Sequence, residues 1–269
     1  IEVRLGWTVE TLARDTADRW TVANTAGESL HADVVVVASA LDTARLPALS
    51  HLPLKPIRGQ ITMVPATDAS ARLATVLCGE SYVAPARHGR HCLGATFDVG
   101  DAATDLRPAD DIANLAALRA LAPALFDAID TRDRDDATCA AGADDSRTHG
   151  SRAAVRVVTP DYLPIAGAAL DADRFRERFA ALARDATTRF DDPAPWLPGL
   201  FVSTGHGSRG LVTAPIAGEL IAALVTGEPL PLPAGVVQAP AAGPLLPPDL
   251  KSGPFTRRMP ARTGANIAP

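Results

Sequence analysis

The hydrophobic pattern divides the chain into interleaved β- and α-type stretches. Trp20-Thr21-Val22 alternates apolar and polar residues and runs into the turn-like Asn24-Thr25-Ala26-Gly27-Glu28, so residues 1 to 30 predict short strands. Ala32 to Ala40 holds four consecutive valines, which predicts a strand buried on both faces, as in a parallel sheet. Lys55 to Val64 predicts a turn feeding a strand. Ser81 to Pro85 and His91 to Phe97 flank Arg87-His88-Gly89-Arg90 and predict a hairpin, with Pro85 at a strand end. Leu115, Leu118, Leu121 and Leu125 recur at three- and four-residue steps, predicting a helix over 105–126 with Asp110 as its cap. Phe175, Phe179, Leu182, Ala186 and Phe190 predict a second amphipathic helix from Asp171 to Phe190. Ser151 to Val158 and Gly199 to Ser203 predict strands. Thr213 to Val225 predicts an apolar helix with Pro215 near its first position, where a missing N–H costs nothing. Residues 127–150 read as a polar loop, and the chain beyond Glu228 as an irregular Pro-, Ala- and Gly-rich tail. The class is α/β, or α+β.

Composition narrows the functional classes. In 269 residues, 47% are apolar but only 4% aromatic, so Ala, Leu and Val must fill the core. The formal net charge of −5 does not advertise nucleic-acid binding, though it leaves room for a local arginine-lined surface. Of 26 basic residues only Lys55 and Lys251 are lysines. Cys78, Cys92 and Cys139 are far apart and odd in number, which suggests neither a zinc site nor a disulfide framework and fits a reducing cytoplasm. No leader-like stretch opens the sequence, and the apolar helix near Ile216 to Val225 looks too short to span a bilayer. No Ser/His/Asp set or metal cluster stands out.

Gly205-His206-Gly207-Ser208-Arg209-Gly210-Leu211 lies between a predicted strand and a predicted helix. Glycines there let backbone amides approach an electron-rich ligand. Taken alone, the stretch reads rather as a tight turn with an exposed Arg.

Four stretches in order change that reading: Arg58-Gly59-Gln60-Ile61; Tyr82-Val83-Ala84-Pro85 with Gly94-Ala95-Thr96; Val155-Arg156 with Thr159 to Gly167; and Gly205 to Leu211 before its helix. Together they resemble the C-terminal part of the FAD-dependent amine oxidases of the D-amino-acid oxidase and glycine oxidase group. The Arg-Gly-Gln and Gly-Ser-Arg-Gly-Leu forms are similar to its tRNA-modifying branch, whose bifunctional members carry a methyltransferase domain ahead of the oxidoreductase. The resemblance implies a D-amino-acid-oxidase-like fold with a mixed or antiparallel substrate-domain sheet. Residues 1–50 would be a remnant of the FAD-binding domain and 51–160 the β-rich substrate domain. Residues 161–230 would return to the FAD domain with the flavin loop, and 231–269 would be the tail. Family members hold the FAD diphosphate with a Gly-x-Gly-x-x-Gly turn after their first strand. No such motif is read in this sequence, which by this resemblance begins downstream of where it would lie, so much of the cofactor domain is expected to lie outside it.

The resemblance also implies the chemistry. The cofactor would be FAD. The substrate would be an N-substituted glycine, the carboxymethylaminomethyl group of a tRNA wobble uridine, converted to aminomethyluridine and glyoxylate. Arg156 matches the family's carboxylate-binding Arg, and Arg suits a carboxylate because its planar fork meets both oxygens. Tyr82 and Arg58 would line the same cavity. Gly205, Gly207, Ser208, Arg209, Gly210 and Leu211 would point amides at the flavin ring. His206 is given no catalytic role. Two alternatives stay open: a small-molecule glycine or sarcosine oxidase, and an FAD-free substrate-binding module.

Overall fold

The structure is a computed structural model that describes residues 1–16, 19–129, 150–185, 188 and 193–233. The chain forms two compact units. One joins Ile1–Lys55 to the residues from Val157 onward, and the other is Pro56–Arg156.

The first unit opens with an antiparallel meander of β1 (Val9–Arg14), β2 (Trp20–Asn24) and β3 (Ser29–Ala32). Buried Trp20 donates its indole N–H to the Pro198 carbonyl at 2.9 Å, fixing the meander to the unit's other sheet. That sheet is mixed, in the order β11 (Ile165–Leu170), β12 (Trp196–Thr204), β4 (Val35–Val37). β12 runs antiparallel to β11 and parallel to β4. The valine stretch thus forms a parallel strand, but not one buried on both faces. β4 has β12 as its one partner in the sheet, and Val34 and Val36 are 39% and 46% exposed while Val37 faces the core. That core joins Trp20, Val37, Leu49, Leu52, Ile165, Leu200 and Val202.

The second unit is built on a six-stranded sheet. Its strands are β5 (Lys55–Pro65), β6 (Leu77–Cys78), β7 (Tyr82–Val83), β8 (Arg90–Gly94), β9 (Asp98–Val99) and β10 (Arg152–Val158). The order is β10-β5-β8-β7-β6, with β9 also on β5. The predicted hairpin is β7–β8. His88 and Gly89 turn it with φ of 50° and 73°, the pair of left-handed residues a tight hairpin turn requires. One face is covered by α1 (Pro108–Leu121) and α2 (Pro123–Ala128), where Leu115, Leu118 and Ile129 pack on Val64, Val83 and Leu93. The single predicted helix over 105–126 is two, because Pro123 cannot continue the first. Asp110 is not its cap; Arg107 holds that position, and the Asp110 side chain turns to Arg58.

In the first unit, α3 is only Ala172–Arg178, followed by a 3-10 turn, Ala180–Ala183. Asp171 caps it by accepting from the Arg174 amide, and Phe175 stacks on Phe179 at 4.7 Å. The expected continuation to Phe190, most of the polar stretch after residue 129, Cys139 and the tail from residue 234 lie outside the described residues. α4 is Gly210–Thr226, closed by Gly227 with φ 74°. Pro215 therefore lies inside the helix rather than at its first position, and the helix starts three residues earlier than the sequence predicts. With its preceding turn it is also longer than expected. Gly207–Thr226 has the length and composition to cross a membrane, yet Ala217, Leu220 and Ile221 are buried and the helix packs on β11 and β12.

Candidate active site

β5 explains itself through its alternation. Successive side chains point to opposite faces, so Arg58, Gln60 and Thr62 face α1 while Gly59 and Ile61 face the other way. On the helix side the polar groups are densely paired, although Arg58 Nε is buried without a hydrogen-bond partner. The fully buried Arg58 guanidinium pairs with Asp110, donates to the Asp105 carbonyl at 2.6 Å and to Gln60 Oε1 at 3.0 Å, and has Asp98 at 3.6 Å. Gln60 donates to the Arg107 carbonyl and to Asp111, both at 3.0 Å. Asp111 also accepts from Thr62 at 2.6 Å and from Ser151. Asn114 donates to the Gln60 carbonyl at 2.9 Å. Arg58 therefore does not line a cavity with Tyr82. Its charge is met inside the fold, and it locks β5 to α1.

The opposite face is bare by comparison. Arg156 of β10 lays its guanidinium over Gly59, and its Nη1 is buried with no hydrogen-bond partner. Tyr82 on β7 stands over Gly94, its cross-strand neighbour, with Cys92 beside it. Burial, then the adjacent Cys92, pushes the Tyr82 phenol up, and Arg156 pulls the other way. Burial likewise raises the Cys92 thiol, partly offset by its hydrogen bond with Tyr82. At neutral pH this face thus offers one fixed cation, a phenol O–H and a neutral thiol. A buried guanidinium N–H with no acceptor is costly, and a ligand carboxylate removes that cost. Arg156 and Tyr82 lie near enough for the guanidinium to act on the phenol.

The glycine loop belongs to the other unit. Gly205 and Gly207 have φ of 75° and 55°, and a Cβ on Gly207 would lie 2.9 Å from Val158 Cγ1. Gly207–Arg209 makes one 3-10 turn leading directly into α4. His206 pins the turn: its Nε2 is 3.0 Å from Ser203 Oγ and its Nδ1 2.8 Å from Thr213 Oγ1. Burial lowers its pKa below the usual imidazole value. Gly210 and Leu211 are the first residues of α4, which has no side-chain cap, and Ser208, Arg209 and Leu211 are exposed. The amides on offer are therefore those of a helix start as well as of a loop.

The model of the FAD dependent oxidoreductase family matches residues 1–224. The chain belongs to that family. It is 46% identical over 241 residues to the tRNA 5-methylaminomethyl-2-thiouridine biosynthesis bifunctional protein MnmC of Chromobacterium violaceum, covering 89% of this chain and 34% of that protein. It is 50% identical over 218 residues to the protein of the same name from Pseudomonas putida, covering 80% and 32%. The chain thus spans about a third of the length of these relatives. Among solved structures, glycine oxidase from Geobacillus kaustophilus matches with a TM-score of 0.60 at 22% identity, over 85% of this chain and 50% of that one. An iminodiacetate oxidase from Chelativorans gives 0.56 at 22%, over 84% and 51%. The expected D-amino-acid-oxidase-like α/β fold is therefore the observed one.

An FAD dependent oxidoreductase needs a place for an electron-rich ring edge, and the loop fits one: uncapped first-turn amides, glycines at its entry and exposed flanks. Gly205-x-Gly207-x-x-Gly210 has the spacing of a dinucleotide fingerprint, which corrects the expectation that the sequence holds no such motif. Among the described residues no strand follows α4 to complete the βαβ unit that fingerprint requires, so the spacing does not by itself argue for diphosphate binding. Sequence reasoning also passed over Gly59, Gly94 and Cys92 as site residues. The two glycines lie inside strands, where glycine marks a close approach, and that signal was available. Among the described residues no group of three or more His, Cys, Asp or Glu side chains is gathered as a metal site.

Proposed function

We propose that this chain is the oxidoreductase part of a cytoplasmic tRNA-modifying enzyme. It would act on the carboxymethylaminomethyl group, with or without the 2-thio substituent, of a wobble uridine. The observation that carries the reading is the Arg156 guanidinium, held beside Tyr82 with Nη1 buried and unpartnered. The similarity to the two MnmC proteins supports tRNA as the carrier of that group, and a methyltransferase domain in the same protein belongs to the same reading.

Arg156 takes the substrate carboxylate through its planar fork. Tyr82, kept protonated, donates a hydrogen bond and orients the glycyl carbon. Gly205, Gly207, Ser208, Arg209, Gly210 and Leu211 would hold the ring of FAD, which would supply the two-electron acceptor for the carbon next to nitrogen. Loss of a hydride from that carbon to the bound cofactor and of the proton on nitrogen to solvent would turn the C–N single bond into C=N. Water adds to that carbon, the C–N bond breaks, and glyoxylate leaves the aminomethyluridine behind.

The test is glyoxylate release by the intact protein, loaded with FAD, from tRNA bearing the carboxymethyl modification against free glycine and sarcosine. Release from the tRNA alone supports the reading. Release from the free amino acids alone replaces it with a small-molecule amine oxidase, which the net charge of −5 favours. A protein that stays colourless with added FAD replaces both with a binding module.

A further inference from the structure

We propose that Gly59 is a positioning residue whose missing side chain is the seat of the Arg156 guanidinium; this rests on Arg156 binding the substrate carboxylate. A Cβ built on Gly59 would lie 2.0 Å from Arg156 Nη1, 2.8 Å from Cζ and 2.9 Å from Nη2, and these are the three atoms nearest to it. The guanidinium therefore occupies the space that any other residue's side chain would fill. A long arginine free to sample many rotamers is held low against the sheet, with Nη1 removed from water and left without a protein acceptor.

The residues on either side make the seat rigid. Arg58 is tied to Asp110, Asp98 and the Asp105 carbonyl, and Gln60 to Asp111, the Arg107 carbonyl and Arg58 itself. The Gln60 amide donates to Thr96 Oγ1 at 2.9 Å, and its carbonyl accepts from Asn114. Gly59 thus lies between two anchored neighbours, and its backbone cannot retreat. In Arg58-Gly59-Gln60 the outer residues fasten the strand to α1 and the middle one makes room on the other face. Tyr82 repeats the device more loosely over Gly94, where a Cβ would come within 3.1 Å of its hydroxyl.

What a Gly59 side chain meets is the tip of a flexible side chain, so Gly59→Ala should fold while its guanidinium is displaced. The experiment uses the full protein loaded with FAD. It compares an anticodon stem-loop bearing the carboxymethylaminomethyl group with the same stem-loop bearing the carboxamide. Gly59→Ala is expected to raise KM for the carboxylate tenfold or more, leave the carboxamide KM and the flavin spectrum unchanged, and change kcat little. In an Arg156→Ala background the same substitution should add nothing. An unchanged carboxylate preference in Gly59→Ala, with the preference lost in Arg156→Ala, overturns the seat. An unchanged preference in Arg156→Ala overturns the function on which the seat rests. Should Gly59→Ala fail to fold, recovery of the fold in the double variant supports the clash with Arg156, and failure of both makes Gly59 structural and overturns the proposal.

Discussion

Arg58 and Arg156 lie on neighbouring strands of one sheet and carry the same charge, yet they do opposite things. Arg58 faces α1, is fully buried, and meets two carboxylates, a carbonyl and an amide oxygen. Arg156 faces away from α1, and its buried Nη1 meets no acceptor. The cost of burying a charge is met in the first case by the protein itself. In the second, Nη1 is left without a protein acceptor. The difference shows that an arginine in a motif is informative about binding only once its strand face is known. The partners on both terminal nitrogens of Arg58 tie it into the fold, and the unpartnered Nη1 of Arg156 is what its proposed role in carboxylate binding rests on.

The comparison breaks most visibly at Arg58. Arg58→Ala leaves the partly buried Asp110 without its cation and should cost up to about 3–5 kcal/mol, read by denaturant unfolding. A stable Arg58→Ala protein with weakened carboxylate binding would reverse the assignment of the two arginines. Arg156→Ala should fold normally and keep its flavin but raise KM for a carboxylate substrate about 10- to 100-fold, since hydrogen bonds to charged groups are worth roughly 1.5–3 kcal/mol. Unchanged steady-state kinetics would clear Arg156 of the role. Tyr82→Phe should cost about tenfold in kcat/KM, the scale of one neutral hydrogen bond. Because burial raises the phenol above its ordinary value, its contribution should hold without change from pH 7 to pH 9; a decline across that range in the wild type, absent from Tyr82→Phe, would contradict the raised value.

The smallest effect belongs to the other unit. Burial holds the His206 pKa below its ordinary value of about 6.5, so the folded state resists protonation. The stability this supports is fully present above the ordinary value and is lost as pH falls through the folded one. Melting curves between pH 7.5 and pH 5 should decline, and His206→Gln should flatten part of that decline. Equal slopes for the two proteins would show that the clamp between Ser203 and Thr213 does not feel protonation.

Legibility followed the range of the interaction. The β7–β8 hairpin was readable because its turn is local, and α1 because its leucines repeat on one face. The valine run gave a strand and its parallel pairing, but not its edge position, since neighbours in a sheet are not encoded by the strand's own residues. The start of α4 was missed because Pro215 suggested a first turn, while the helix begins with Gly210 and carries the proline within it. At the site, Tyr82 and Arg156 were chosen by resemblance and meet in space; Arg58 was chosen the same way and does not join them.

The sequence by itself determined the alternation of β5: whichever way Arg58 and Gln60 point, Gly59 must point the other way, because the side-chain period of a strand is two. It also determined that a glycine-rich turn links a strand to an apolar helix. Which face of β5 meets α1 was decided only by the tertiary structure, through Asp110, Asp111 and Asn114 on a helix about fifty residues on. That choice gave Arg58 its partners and left Gly59 facing Arg156. Long-range packing, not local pattern, sets which guanidinium is paired within the protein and which keeps a nitrogen without an acceptor.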